Sequence, residues 1–409
     1  MLVQKPTNPT WKVNVAAVRK PRIVNTSRIL RQIWISRRSS RVQLARDLGL
    51  NKSTITNIVS DLLDAGIVQE IAEGSAGPMG GRKPVHMELN RHFGYVLGLE
   101  IRPESYTAVA VDLAGDILFS RTEDESHSGE NFTDSVIGLL RRLPEELGWI
   151  GVPVLGAGVG ISGIVDSGRG TIRSSIPLRI PGPYDFSGIV GAAVDFPVFV
   201  ENDANACAWG ELAFHRSKKL RNFLFTLVEF HNDPSKEFYE NTSVGFGMVF
   251  NGNVYSGNRH SAGEFHSVFC RPGDLGQFRI SNLEEHIDEK PEILKELIEE
   301  LSKHLALFIN TLNLGQVFLG GDIERHQDLV MPILIKAIDD NWVYDTPVEC
   351  EIRFSSLGDK SVAYGAAGLV LERLFMEPET IEVSGAAGWE ESKTLDSLLR
   401  HGKKASVEA

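Results

Sequence analysis

The sequence predicts an α/β protein with a small basic helical unit in front of a larger acidic body. With 409 residues the chain is long enough for two or three domains, and 42% hydrophobic residues exclude wholesale disorder. Residues 1–90 contain 14 Lys+Arg against 6 Asp+Glu, whereas the remainder contains 28 against 48. From about residue 95, apolar strand-like runs alternate with helical patterns. The charge asymmetry is typical of a protein that meets nucleic acid at one end.

Composition also bears on the compartment and excludes several protein classes. No apolar stretch reaches 18 residues, so we expect no membrane span, and residues 1–13 lack the apolar core of a signal peptide. Three cysteines are too few for a disulfide framework, which favours a reducing cytoplasm.

The basic head contains a helix-turn-helix pattern at residues 44–63, LARDLGLNKSTITNIVSDLL. Gly49 supplies the left-handed turn, and Asn51 or Ser53 is suited to cap the second helix. Apolar residues at helical spacing would bury one face of that helix, leaving short polar side chains and one cation for phosphates and base edges in a major groove. These predicted DNA-binding residues are Lys52, Ser53, Thr54, Thr56 and Asn57.

Two strand-like runs after this helix predict a β-hairpin wing. IVQEI and VHMEL flank the glycine-rich GSAGPMGGRKP, which places Arg82 and Lys83 near the tip, where they could enter a minor groove. The alternative is a winged helix that makes protein contacts or has lost DNA binding. The positive charge of the head, the Gly49 turn and the predicted wing together favour DNA binding.

The body is predicted as strands interleaved with helices, several strands being apolar throughout and therefore covered on both faces. Residues at both ends of the chain lack periodicity. The predicted organisation is a flexible arm, a winged helix-turn-helix domain, a ligand-binding body and a polar tail, at residues 1–21, 22–92, 93–375 and 376–409.

Carboxylates near strand ends and glycine turns are the candidate ligand residues of the body. ENDAN (201–205) ends an apolar strand, so Asp203 would lie where ligands of α/β sheets bind and could accept a sugar hydroxyl or act as a base on it. Alternatively, Asp203 or Asn205 caps the next helix. Glu264 lies beside a glycine in HSAGEFH (260–266). The nearby histidines and Cys270 are either solvated loop residues or the ligands of a metal site.

Four motifs together resemble the ROK family of sugar kinases and sugar-responsive repressors: GISG (160–163), ENDAN (201–205), the downstream AGE (262–264) and LGGD (319–322). The likeness covers about residues 22–375 and is closest to the repressor branch typified by the xylose, glucose and N-acetylglucosamine repressors. It implies two actin-like or hexokinase-like α/β lobes around a sugar cleft, with Asp203 at the position of the kinase base. The implied sugar contacts are Ser162, Gly163, Asn202, Asp203, Glu264 and His266.

Departures from the kinase pattern argue against phosphoryl transfer. The family's Asp-x-Gly-Gly-Thr phosphate loop is replaced by residues 100–105, Glu-Ile-Arg-Pro-Glu-Ser, and its second phosphate loop is half kept as residues 243–247, SVGFG. The first loop has lost both glycines, and Glu104 would repel phosphate. We therefore expect no enzyme activity and no cofactor.

Further departures affect the family's zinc loop and its sugar contacts. Only Cys270 of three cysteines is kept, with Pro272 and Gln277 at the other two positions, so we expect no structural zinc. Pro177 and Arg279 replace two family sugar contacts, and Arg279 suggests an acidic or phosphorylated ligand. Residues 231–241 form an insertion beside the cleft.

These observations predict a cytoplasmic repressor that binds operator DNA as a homodimer or a dimer of dimers and responds to a sugar effector. Two alternatives stay open: a sugar kinase with a DNA-binding head, and a regulator whose body binds a protein partner.

Overall fold

The computed structural model describes residues 21–73, 85–127, 129–215, 220–230, 242–274, 276–279, 287–355 and 357–375. The predicted arm (apart from Pro21), the wing tip with Arg82 and Lys83, the 231–241 insertion and the predicted tail lie outside these residues.

The head comprises three helices and a small antiparallel sheet with strand order β1-β3-β2. Ser40 and Gln43 form a capping box at the start of the second helix, and Gly49 ends that helix at φ 64°, as the turn pattern predicted. Asn51 occupies the N-cap of the third helix without a side-chain hydrogen bond. The elements are α1 (Pro21–Ser36), β1 (Ser39–Ser40), α2 (Arg41–Leu48), α3 (Lys52–Asp64), β2 (Val68–Glu73) and β3 (Val85–Leu89).

The first lobe of the body is built on a five-stranded mixed sheet with order β11-β7-β4-β5-β6. The first three strands along the chain form an antiparallel meander, and the other two are added in parallel. Every residue of β4 is buried, because helices cover both faces of the sheet. The strands are β4 (Tyr95–Ile101), β5 (Ser105–Asp112), β6 (Ile117–Asp124), β7 (Val154–Ile161) and β11 (Val198–Asn202).

Helices and a smaller sheet complete the first lobe. Helix α4 (Phe132–Glu146) packs on one face of the large sheet and α9 (Ser361–Phe375) packs on the other. The smaller three-stranded sheet and its helix are β8 (Ile164–Asp166), β9 (Thr171–Ser174), β10 (Tyr184–Asp185) and α5 (Phe186–Gly191).

The second lobe repeats the arrangement with a five-stranded sheet of order β14-β13-β12-β15-β16. A long amphipathic helix, in which Leu294 and Ile309 are buried, covers one face together with a second helix, and a small-residue helix covers the other. The elements are α6 (Asp203–Phe214), β12 (Phe223–Phe230), β13 (Thr242–Phe250), β14 (Asn253–Val254), α7 (Pro291–Leu312), β15 (Gln316–Gly321), α8 (Gln327–Asp340) and β16 (Glu351–Phe354).

Helices α6 and α9 pack against each other at very short range. A Cβ placed on Gly365 of α9 would lie 1.9 Å from the carbonyl oxygen of Ala206 in α6, so only glycine fits there. The small residues of both helices therefore serve helix packing.

The head and the first lobe share one apolar core. The ring centroids of Trp34 in α1 and Phe375 in α9 lie 5.3 Å apart, and both side chains are buried. Arg31 of α1 also pairs with Glu372 of α9 at 3.6 Å. The last turns of α9 thus attach the head to the body.

Among the helices described here, none combines the length and the apolar character needed to cross a membrane.

Candidate functional site

A cleft of about 580 Å³ opens between the two large sheets. Its walls include the residues at, or directly after, the carboxyl ends of β4, β7, β11 and β12. Ligands of open α/β sheets bind in this kind of crevice. Five of the six predicted sugar contacts line the cleft: Ser162, Gly163, Asn202, Asp203 and Glu264.

Asn202 connects two of these segments. Its Nδ2 donates to the carbonyl oxygen of Gly163 at 3.1 Å, and its Oδ1 accepts from the amide of Asn205 at 3.1 Å. Asn202 is therefore the N-cap of α6, a role that the sequence had suggested for Asp203 or Asn205.

Asp203 is the most strongly perturbed acid of the cleft. Burial, reinforced by the nearby carboxylates of Glu229 and Glu264, raises its pKa to about 8. Its Oδ1 accepts from the amide of Ala204 at 2.7 Å. At neutral pH this carboxyl can therefore both donate and accept hydrogen bonds, which suits it to a sugar hydroxyl.

Glu264 reaches the cleft because its loop lies against β13. Gly245 and Glu264 form an antiparallel bridge, and the amide of Phe246 donates to the carbonyl of Gly263 at 3.0 Å. Gly263 has φ 96°, and a Cβ there would meet the Phe246 carbonyl at 1.9 Å. The glycine of AGE is thus required for the close approach, and partial desolvation in the cleft raises the pKa of Glu264.

His266 takes a different position from the other predicted sugar contacts. It is exposed and is not among the residues that line the cleft. His266 lies only two residues after Glu264 in the same loop. No signal in the sequence therefore indicated that Glu264 lines the cleft and His266 does not.

Arg102 is a cleft residue whose role the sequence reasoning missed. Its Nε donates to Glu100 Oε1 at 2.7 Å, and its Nη2 donates to Glu229 Oε1 in the second lobe. Burial raises the pKa of Glu100 to about 7 despite this pairing. The guanidinium therefore joins residues 100–102, at the end of β4, to the end of β12. The only signal in the sequence was a lone arginine among carboxylates.

Two residues that depart from the family pattern are placed differently. Pro177 lines the cleft, as its position in the resemblance implied. Arg279 is exposed and is not among the lining residues, while its backbone amide donates to Glu300 Oε1 at 3.1 Å.

The loop that resembles a zinc loop is held by an amide side chain. Gln277 Oε1 accepts from the amide of Val244, and its Nε2 donates to the carbonyls of Val244 and Phe265. Within the residues that the structure describes, no three His, Cys, Asp or Glu side chains cluster as metal ligands would.

The head presents a polar face on α3. Ile55, Ile58, Val59 and Leu62 are buried against the head's core. Lys52, Ser53, Thr56 and Asn57 are exposed and Thr54 is half-buried, so the predicted set lies along the first turns of one helix. The hydroxyl of Thr56 donates to the carbonyl of Lys52 at 2.8 Å.

Comparison with known families identifies the body. Residues 96–276 match the ROK family. The chain carries a ROK family domain. This stretch spans β4 to the Gly245–Glu264 bridge and its loop, and so contains the five cleft-lining residues named above.

Relatives of the ROK domain include both repressors and kinases. The chain is 24% identical to a xylose repressor of Bacillus spizizenii over 381 residues, covering 85% of this chain and 95% of the relative. It is 27% identical to a glucokinase of Streptomyces coelicolor over 184 residues, covering 44% of this chain and 52% of that enzyme.

Solved structures show the same fold. A ROK family transcriptional regulator, described as a homolog of the Escherichia coli Mlc protein, superposes with a TM-score of 0.68 at 18% identity and covers 95% of this chain and all of its own. A ROK family glucokinase from Streptomyces griseus, in complex with glucose and AMPPNP, matches with a TM-score of 0.51 at 20% identity over 68% of this chain. The regulator's match thus extends well beyond the share of this chain that the kinase covers.

Proposed function

We propose that this protein is a DNA-binding transcriptional regulator that represses carbohydrate-utilisation genes and takes a sugar as effector in its interlobe cleft. The observation that carries the proposal is the core shared by the head and the cleft-bearing lobe. A ligand that changes the lobes can act on the head through this core, provided that it binds one state better.

Residues 22–92 act in this proposal as the winged helix, with α3 in the major groove. The exposed side chains of Lys52, Ser53, Thr56 and Asn57 support this role, because short polar groups at the start of a recognition helix reach phosphates and base edges. Thr54, Arg82 and Lys83 complete the proposed contact set. Two heads on a homodimer would read paired half-sites.

The cleft binds the sugar through Ser162, Gly163, Asn202, Asp203 and Glu264 in this proposal, with His266 outside the cleft lining. Similarity to xylose repressors over almost their whole length makes D-xylose the first effector to test.

A repressor role is favoured over sugar kinase activity by the charges in the cleft. Glu100, Glu104 and Glu229 line it, and Arg102 is already engaged by two of these carboxylates. Phosphoryl transfer requires positive charge and backbone donors around the phosphates. This arrangement of carboxylates therefore suits a neutral polyol better than a nucleoside triphosphate.

The test measures DNA affinity by fluorescence anisotropy with duplexes from the protein's own upstream region and with random duplex. We expect tighter binding to the upstream DNA and a loss of at least tenfold in that affinity at saturating D-xylose or another sugar of a panel. Equal affinity for both duplexes at every ligand concentration would contradict the proposal. An assay of ATP consumption with the same sugars tests the kinase alternative. Phosphorylation of any of these sugars would contradict the prediction that the protein is not an enzyme.

A further inference from the structure

The side-chain amide of Gln277 forms three hydrogen bonds, all of them with backbone groups. Its Oε1 accepts from the Val244 amide at 2.5 Å, and its Nε2 donates to the carbonyls of Val244 at 2.9 Å and Phe265 at 3.0 Å. One acceptor and both N–H donors are therefore engaged by backbone groups, so the amide has one favourable orientation.

These bonds join the two chain segments that form one wall of the cleft. Ser243, Val244 and Gly245 line the cleft, as Gln277 itself does, and Phe265 directly follows the lining residue Glu264. The Gly245–Glu264 bridge already pairs the two segments from one side. Gln277 adds hydrogen bonds to Val244 and Phe265, the residues next to this bridge, so both segments are fixed around Glu264.

The neighbouring contacts keep Gln277 itself in place. Its carbonyl oxygen accepts from the amide of Ser267 at 2.9 Å and from the thiol of Cys270 at 3.7 Å. The ring of Phe265 packs between those of Phe246 and Phe278, at centroid distances of 5.3 and 5.1 Å. The loop that carries Glu264 is thus closed by hydrogen bonds and by aromatic packing.

We propose that Gln277 is the positioning residue for Glu264, holding its carboxylate at the sugar so that the effector site is formed without a bound metal. This inference rests on the proposed function, because it assigns Glu264 to a sugar hydroxyl. Gln277 acts through the backbone of residues 244 and 265, and a shift of this loop by 1 Å would remove a directional hydrogen bond to the effector.

The decisive variant is Gln277→Glu. It has nearly the same shape, but it replaces the two N–H donors with an oxygen that faces two carbonyl oxygens. Gln316→Glu is the matched control, since Gln316 Nε2 donates to Glu351 at the other end of β15, away from the cleft.

The first measurement needs no ligand. Peptide-level amide hydrogen exchange should rise at least tenfold in residues 242–247 and 263–267 of full-length Gln277→Glu, and stay unchanged there in Gln316→Glu. Unchanged protection of both segments in Gln277→Glu would overturn the proposal whether or not any sugar binds.

The second measurement uses calorimetric titration with D-xylose and with any other panel sugar that binds the unchanged protein. We expect Gln277→Glu to weaken binding at least tenfold at pH 8, and to recover part of this loss at pH 5.5, where protonation restores one donor. Increased exchange with unchanged sugar affinity would also overturn the positioning role. Failure of every sugar to bind the unchanged protein would count against the proposed function, while hydrogen exchange would still decide the role of Gln277.

A double variant separates positioning from direct contact or general destabilisation. If Gln277 acts through Glu264, Gln277→Glu/Glu264→Gln binds the sugar within twofold of Glu264→Gln alone. Additive losses would show that Gln277 acts independently of Glu264 and would contradict the proposal.

Discussion

At the residue scale, the cleft is governed by carboxyl groups whose surroundings disfavour the charged form. Asp203, Glu100 and Glu264 all have raised pKa values, with burial as the largest cause in each case. The sequence indicated Asp203 and Glu264, because each follows a strand end or a glycine. It could not indicate their pKa values, since those depend on burial in the cleft and, for Asp203 and Glu100, also on neighbouring carboxylates.

The pH dependence of stability should reveal the Asp203 carboxyl. An unfolded Asp titrates near pH 4, whereas the pKa of Asp203 in the folded protein is about 8, so between these values the folded state binds more protons and loses stability as the pH rises. Asp203→Asn keeps an acceptor for the Ala204 amide but removes the titration. From pH 5 to pH 8.5, its unfolding free energy should improve by at least ~1 kcal/mol relative to the unchanged protein.

Urea unfolding monitored by circular dichroism at several pH values measures this difference. Asp185→Asn, which alters the exposed N-cap of α5, is the control and should not show it. Parallel stability curves for Asp203→Asn and the unchanged protein would contradict the prediction.

Variants on the polar face of α3 should separate base recognition from electrostatic attraction to the DNA phosphates. Asn57→Ala removes an exposed amide suited to a base edge, and it should weaken binding to the upstream DNA by about 1–3 kcal/mol with little effect on random duplex. Lys52→Ala should weaken binding to both duplexes and lower the salt dependence. Anisotropy titrations at two salt concentrations compare them, and equal losses on both duplexes for Asn57→Ala would rule out base reading by this residue.

At the element scale, α6 and α9 connect the cleft to the head. Helix α6 begins at Asp203, and α9 packs on it along small residues before reaching α1 through Phe375. Both helices are rich in alanine and glycine. That the two helices meet each other was decided by the way the two sheets face one another.

The tightness of this helix pair can be measured at Gly365. Gly365→Ala places a methyl group 1.9 Å from the Ala206 carbonyl, and we expect it to lower the unfolding free energy by at least ~2 kcal/mol. Gly138→Ala in α4 is the matched control, since nothing lies within 4 Å of its Cβ and alanine favours a helix, so it should gain ~0.5–1 kcal/mol. Urea unfolding compares the two, and a neutral Gly365→Ala would show that the helices can separate at little cost.

At the scale of the whole molecule, Arg102 bridges the lobes. It pairs with Glu100 of the first sheet and with Glu229 of the second, and the cleft also contains Asp203 and Glu264. In the absence of this cation, these acids would repel one another across the cleft once they are ionised, and burial raises the pKa of Glu100 to about 7 and that of Asp203 to about 8. The two lobes of the protein are therefore joined by an arginine of the chain itself.

Removing that charge should open the cleft. Arg102→Met should lower the unfolding free energy at pH 8 by about 1–3 kcal/mol, less at pH 5.5 where more carboxyls are protonated, and increase the radius of gyration in solution scattering. Arg353→Met is the control, because Arg353 pairs with Glu351 at the sheet edge. A loss of stability that is the same at both pH values would contradict an electrostatic bridge.

The sequence by itself determined the elements and much of the candidate site. Apolar periodicity, the Gly49 turn and the strand ends at Asn202 are local signals, because they follow from backbone geometry within a few residues. Tertiary structure decided the rest: the pairing of Arg102 with Glu229, the hydrogen bonds of Gln277 to Val244 and Phe265, the exposure of His266 and the core shared by head and body. These depend on sheet register and on packing between segments far apart in the chain, which no local pattern encodes.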